Sequence, residues 1–147
     1  MIGIELELNS IRSIDLANIF NNINLNNYNF KITEDEVFNN VNLLENIDFK
    51  KLVYSKSYIN FLNVQVYFQR IKKFPIINSY NTFLESSCKL ILLIIDGKEL
   101  EIYFKDEKLK EQIMLNLKNK KYKYNIKTIE SDGRTRMSVY YSFRSKF

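Results

Sequence analysis

Leu90-Ile91-Leu92-Leu93-Ile94-Ile95-Asp96-Gly97-Lys98-Glu99-Leu100-Glu101-Ile102-Tyr103-Phe104 is the stretch whose reading decides the fold. The aliphatic run Leu90 to Ile95 is apolar on both of its faces, so it is predicted to be the most central strand of the sheet. Asp96-Gly97 supplies a residue pair that tolerates positive φ, as a tight hairpin turn requires. Leu100, Ile102 and Phe104 return in alternation with Glu99, Glu101, Tyr103 and Lys105, the period of a strand with one apolar face.

The same periodicities extend outward from this hairpin. Downstream, Asp106 is placed to cap a helix carrying Leu109, Ile113 and Leu117 on one face, and two last strands, Tyr122 to Ile129 and Arg136 to Phe143, flank a turn at Asp132-Gly133. Upstream, Ser79 caps a short helix with Tyr80, Phe83 and Leu84, and Pro75 marks a loop. Leu62, Val64, Val66 and Phe68 alternate with Asn63, Gln65, Tyr67 and Gln69 in a clear strand. Asp48 caps a short helix burying Phe49, Leu52 and Val53. Tyr28, Phe30 and Ile32 mark a strand that ends in a turn at Glu34-Asp35-Glu36. The chain opens on a strand of Ile2, Ile4, Leu6 and Leu8, followed by a helix with Ser13 as N-cap and Leu16, Ile19, Phe20 and Ile23 at helical spacing. The predicted fold is α+β: one domain over residues 1–147, with a mostly antiparallel sheet of about six or seven strands and helices packed on one face.

Composition removes several function classes. The 147 residues are 46% hydrophobic, enough for a core without staples, and the single cysteine, Cys88, excludes an internal disulfide. Histidine is absent, which removes the commonest general base and metal ligand, so neither a metal nor a cofactor is expected. The three glycines form no phosphate-binding pattern. No stretch is long and apolar enough to span a bilayer and the N-terminus has no signal-peptide pattern, so a cytoplasmic protein is expected. Charge is split: residues 1–50 carry three basic against eight acidic groups, a net −5, and the rest carry a net +10.

On these strand assignments, one sheet face collects Glu5, Glu7, Asn63, Gln65, Tyr67, Glu99, Glu101, Tyr103, Lys123 and Tyr140. This is read either as an open, tyrosine-dotted binding face or as an ordinary solvated one. Glu5/Glu7 and Glu99/Glu101 are spaced like paired catalytic carboxylates, but no further group supports that chemistry. Cys88 is expected to be a core thiol. In Asp132-Gly133-Arg134-Thr135-Arg136 the Arg134 and Arg136 forks fit carboxylate or phosphate, with Asp132 to orient one; a charged hairpin turn explains the stretch equally well. Lys118, Lys120, Lys121, Lys123 and Lys127 interleave with Tyr122 and Tyr124, the footprint of a single-strand nucleic-acid binder.

Phe83-Leu84-Glu85-Ser86-Ser87-Cys88, the strand Leu90 to Asp96, Glu101-Ile102-Tyr103-Phe104-Lys105-Asp106 and Asp132-Gly133-Arg134-Thr135-Arg136-Met137-Ser138-Val139 together resemble a family of small proteins of unknown function from spore-forming Gram-positive bacteria. The resemblance covers the second half best, and Tyr141 to Phe147 extend past the family's usual end. It implies a bacterial cytoplasmic protein and assigns no catalytic residue. The expected function is a non-catalytic protein-binding module, of which an immunity-type toxin neutraliser is one form. A nucleic-acid binder is the alternative, an enzyme is the weakest reading, and a homodimer is compatible with the sheet.

Overall fold

The computed structural model describes residues 1–128. The central hairpin forms where the sequence places it. Strand β5 (Leu90–Ile95) pairs antiparallel with β6 (Glu99–Phe104), from Leu90 opposite Phe104 to Ile95 opposite Glu99. Asp96 and Gly97 turn the chain with φ of 54° and 68°, the consecutive left-handed pair of a tight hairpin.

Five more strands complete the described sheet: β1 (Gly3–Glu7), β2 (Tyr28–Asn39), β3 (Asn42–Leu43), β4 (Tyr58–Phe68) and β7 (Asn125–Lys127). Their order is β3-β2-β4-β5-β6-β1-β7, and every pairing is antiparallel. The helices are α1 (Ser13–Ile19), α2 (Phe49–Val53), α3 (Tyr80–Glu85) and α4 (Glu107–Asn119), with a 3-10 turn at Leu25–Asn27. Asp48, Ser79 and Asp106 each accept backbone N–H bonds at their helix starts, as capping chemistry predicts.

The sheet has a buried layer on both sides. On the first face, Ile4, Leu6, Leu62, Val64, Val66, Leu90, Leu92, Ile94, Leu100 and Ile102 meet Leu16 and Ile19 of α1, Phe49 and Leu52 of α2, and Leu109, Ile113 and Leu117 of α4. On the second face, Tyr67, Ile91, Leu93 and Tyr103 meet Ile77, Tyr80, Phe83 and Cys88. Helix α3 therefore lies opposite the other three, where the sequence expectation put all helices together. Its apolar residues are too few to announce a face, and the aliphatic side of β5 that it covers shows no alternation to read.

Three local expectations also shift. Arg12, not Ser13, is the residue before α1: Asp15 Oδ2 accepts from Arg12 N at 2.9 Å, while Ser13 is buried. Strand β2 does not turn at Glu34-Asp35-Glu36 but runs through it, with register shifts against β4 at Ile32/Glu34 and Glu36/Val37, the irregularity by which a strand absorbs extra residues. Strand β7 is shorter than Tyr122 to Ile129 because Tyr122 is held elsewhere: its hydroxyl donates to Asp15 Oδ1 at 2.7 Å and accepts from Asn18 at 3.0 Å. The predicted strand Arg136 to Phe143 lies outside the described residues.

Candidate functional site

The polar face of the sheet is not the open surface that alternation suggests. Tyr67 and Tyr103 are completely buried, and Asn63, Gln65 and Glu101 are nearly so. Four of the five pair along their own strands: Tyr67 Oη donates to Gln65 Oε1 at 2.6 Å and Tyr103 Oη to Glu101 Oε1 at 3.2 Å. The two tyrosines are therefore core residues under α3, not contact residues. Beside them Cys88 donates to the carbonyls of Leu90 at 3.2 Å and Val66 at 3.6 Å, and burial pushes its thiol up to about 11. Burial likewise raises the Tyr67 phenol. Lys105 reaches the carbonyls of Phe83 at 2.7 Å and Ser86 at 2.5 Å and so caps α3; burial lowers its pKa. A buried, high-pKa thiol without a base is no nucleophile.

At the β7 edge, Lys127 Nζ lies 2.6 Å from Glu101 Oε1 and 3.4 Å from Glu5 Oε2. Burial opposes the ammonium, but the two carboxylates outweigh it and raise the Lys127 pKa. Gly3 lies between Lys127 and Tyr103 in the register. A Cβ at Gly3 would sit 2.2 Å from Ile102 O. Among the described residues no group of three or more His, Cys, Asp or Glu side chains is placed to hold a metal ion.

A row of partly exposed residues lies at the opposite corner. Strand β4 outruns β5, and the gap beside its first residues is filled by Ile11-Arg12: Ile59 N donates to Ile11 O at 3.0 Å, Ser13 N to Ser57 O at 3.0 Å, and Ile11 N to Gly97 O at 2.7 Å. This bridge sets Arg12 opposite Tyr58, Tyr58 opposite Phe38, and Phe38 opposite Leu43. The result is a cross-strand row, Arg12–Tyr58–Phe38–Leu43, whose neighbours stand about 5 Å apart. Tyr58 is 48% exposed, Leu43 54%, and Val41, in the β2–β3 turn, 90%.

The backbone beneath this row is pinned. Ser13, Ser55 and Ser57 link hydroxyls at 2.9 Å each, and Ser55 Oγ also donates to Leu52 O at 2.7 Å. These serines tie the start of α1, the end of α2 and the approach to β4. Sequence reading missed the row because β2 was expected to end before Phe38; the one available signal was the run of Tyr58 and Ile59 ahead of the alternating strand.

Of the residues singled out from sequence, Lys123 is exposed, together with Lys118, Lys120 and Lys121. Tyr124 is 38% exposed, whereas Tyr122 is tied to Asp15 and Asn18. Asp132, Arg134, Arg136 and Tyr140 lie outside the described residues. No described helix is long and apolar enough to cross a membrane.

A Bacillus subtilis (strain 168) protein described as uncharacterized protein YncE is 26% identical over 116 residues, covering 74% of this chain and 72% of its own. No solved structure matches. The family resemblance read from the sequence extends further than its second half: residues 1–138 match the family described as protein of unknown function (DUF2691), and the chain belongs to that family.

Proposed function

We propose that the protein is a non-catalytic protein-binding module that engages its partner through Arg12, Tyr58, Phe38 and Leu43, with Val41 at the hairpin tip. The observation that carries this reading is the cross-strand row itself, with Tyr58 and Leu43 about half exposed on a pinned backbone. Tyrosine and arginine are the residue types that dominate binding energy at interfaces, and a fixed backbone reduces the entropy lost on association. A partner that buries Tyr58 and Leu43 removes apolar area from water while offering Arg12 a carboxylate at the rim. An immunity-type role, covering a toxin, would use the same surface. The buried single thiol Cys88 fits the reducing cytoplasm as the compartment.

Tagged full-length protein retained from a lysate of its source organism tests this. The double variant Tyr58→Ala/Leu43→Ser is expected to recover at least about tenfold less partner, since each truncation removes on the order of 1 kcal/mol of binding or more. Equal recovery by variant and wild type, with matching circular dichroism melts, would falsify the reading.

A nucleic-acid reading is favoured by one separate observation, the four exposed lysines around the exposed Tyr124. It requires retention of single-stranded RNA that falls steeply with salt and is lost in Lys118→Glu/Lys121→Glu. Nuclease-resistant partner recovery without RNA retention would leave only the protein-binding reading.

A further inference from the structure

Strand β2 has β4 along one side but β3 along the other only at Phe38 and Asn39. Leu44 N still donates to Val37 O at 2.8 Å; from Asn46, with a φ of 53°, the chain leaves the edge and enters α2 at Phe49. Among the described residues no strand lies on the outer side of Tyr28 to Ile32. The ladder fixes which groups point there. Val66 O accepts from Lys89 N on the β5 side, so Gln65 and Tyr67 turn their N–H and C=O toward β2, and Lys31 and Asn29 opposite them turn theirs toward β4. Phe30 and Ile32 therefore aim both backbone groups outward, as Tyr28 aims its carbonyl, while Tyr28 N–H is held by Leu25 O. No residue from Tyr28 to Ile32 is buried, although Val64 to Tyr67 opposite them all are. Beside this edge lies a recess of about 430 Å³ whose apolar lining is Tyr28, Phe30, Ile32, Ile47 and Phe49. Phe49 stacks on Phe30 at 4.4 Å and holds that ring in place.

We propose that this edge takes up an extended segment of a partner protein, added beside β2 on the line that β3 abandons, with alternate apolar side chains in the recess. The inference rests on the protein-binding reading and names a second contact, at the other end of β2 from Phe38. Outward N–H and C=O groups at alternate residues are matched by another strand about 4.8 Å away, and not by a merely apolar surface. The side chains of Phe30 and Ile32 select apolar residues at every second position of that strand. The pairing run is short, because the register shift between Ile32 and Glu34 breaks the regular edge after Ile32. Such a run suits a single peptide segment and is a poor template for joining two whole sheets. A second copy would also bring its own Asn46 to Lys50 flank into the space beside β2, which a lone strand does not.

The test uses isotope-labelled full-length protein and, as probe, a capped heptapeptide of alternating valine and threonine with lysine at each end, read by amide shifts and hydrogen exchange. The peptide at millimolar concentration is expected to shift the Phe30 and Ile32 amides and to slow their exchange about tenfold or more, while exchange at Asn29 and Lys31, already bonded to β4, stays as it was. The same peptide N-methylated at alternate residues is expected to do neither, since it keeps the apolar side chains and loses the donors. Ile32→Pro removes an outward N–H and is expected to abolish protection of Phe30, whereas Ile32→Ala retains it. Equal binding of the methylated peptide, shifts confined to Tyr58 and Leu43, or no shift at all would overturn the strand addition. So would Phe30 and Ile32 amides that already exchange slowly without peptide, whether in the monomer, where the chain fills its own edge, or only at high protein concentration, where a second copy does. None of these outcomes bears on capture through Tyr58 and Leu43, which the lysate experiment decides separately.

Discussion

The two faces of the sheet are buried by different chemistry. On the first, aliphatic side chains from β1, β4, β5 and β6 meet the apolar stripes of α1, α2 and α4, and the buried Asn116 of α4 donates to the Ile19 and Asn21 carbonyls at the end of α1, not to the sheet. On the second, Tyr67 sits over Gln65 and Tyr103 over Glu101, each phenol donating to the residue two positions earlier on its own strand. The same device occurs on β4 and on β6, the strands that flank the central β5. Residues two apart share a strand face, so such a pair satisfies itself wherever the face is covered. Alternation of apolar and polar residues therefore specifies which side a residue takes, and not whether that side meets water.

This contrast orders the expected losses on mutation. Leu92→Ala removes a fully buried first-face side chain from the central strand and is expected to cost about 3 kcal/mol, read from the urea midpoint. Lys127→Met removes from Glu101, whose side chain is 3% exposed, its closest cation among the described residues; about 2 kcal/mol is expected, moderated by the solvent that Lys127 itself retains. Tyr67→Phe deletes one hydroxyl and leaves Gln65 Oε1 short of a donor, for about 1 kcal/mol. If Tyr67→Phe equalled Leu92→Ala, the polar pairs and not the aliphatic layer would be the main stabilising element, and the comparison would be reversed.

Much of this architecture is legible in the sequence because periodicity and capping are local. Leu90 to Ile95 with Asp96-Gly97 gives the hairpin, and Asp48, Ser79 and Asp106 mark their helices without tertiary information. The course of β2 is not legible: Glu34-Asp35-Glu36 reads as a turn, and only pairing with a long β4 makes it strand. The burial of Tyr67 and Tyr103 is hidden for a related reason. It depends on α3, whose six residues give no sign of which face they cover. The cross-strand row fails on both counts, since Arg12, the Phe38/Leu43 hairpin and Tyr58 come from three distant segments joined by the sheet and the Ile11-Arg12 bridge.

The smallest effect at neutral pH is the response to alkali. Cys88 belongs to the second face; burial raises its pKa from 9.0 to about 11. Tyr122 packs against the first face; burial raises it from 10.0 to about 12, with the Asn18 hydrogen bond pulling it down and Asp15 adding to the rise. Both groups are neutral when protonated, so the folded state holds the proton more tightly than the unfolded chain does. The stabilisation is fully present below each unfolded pKa and disappears as pH rises through the folded one. The urea midpoint should therefore be flat from pH 7 to about 8.5, fall first through the Cys88 window and then through the Tyr122 window. Cys88→Ala should remove the fall that begins at about pH 9, and Tyr122→Phe only part of the fall above about pH 10, because burial also raises the Tyr67 phenol of the second face. A wild-type midpoint that stays level to pH 11 would show that alkali reaches neither face, and a first fall that persists in Cys88→Ala would move its origin away from the second.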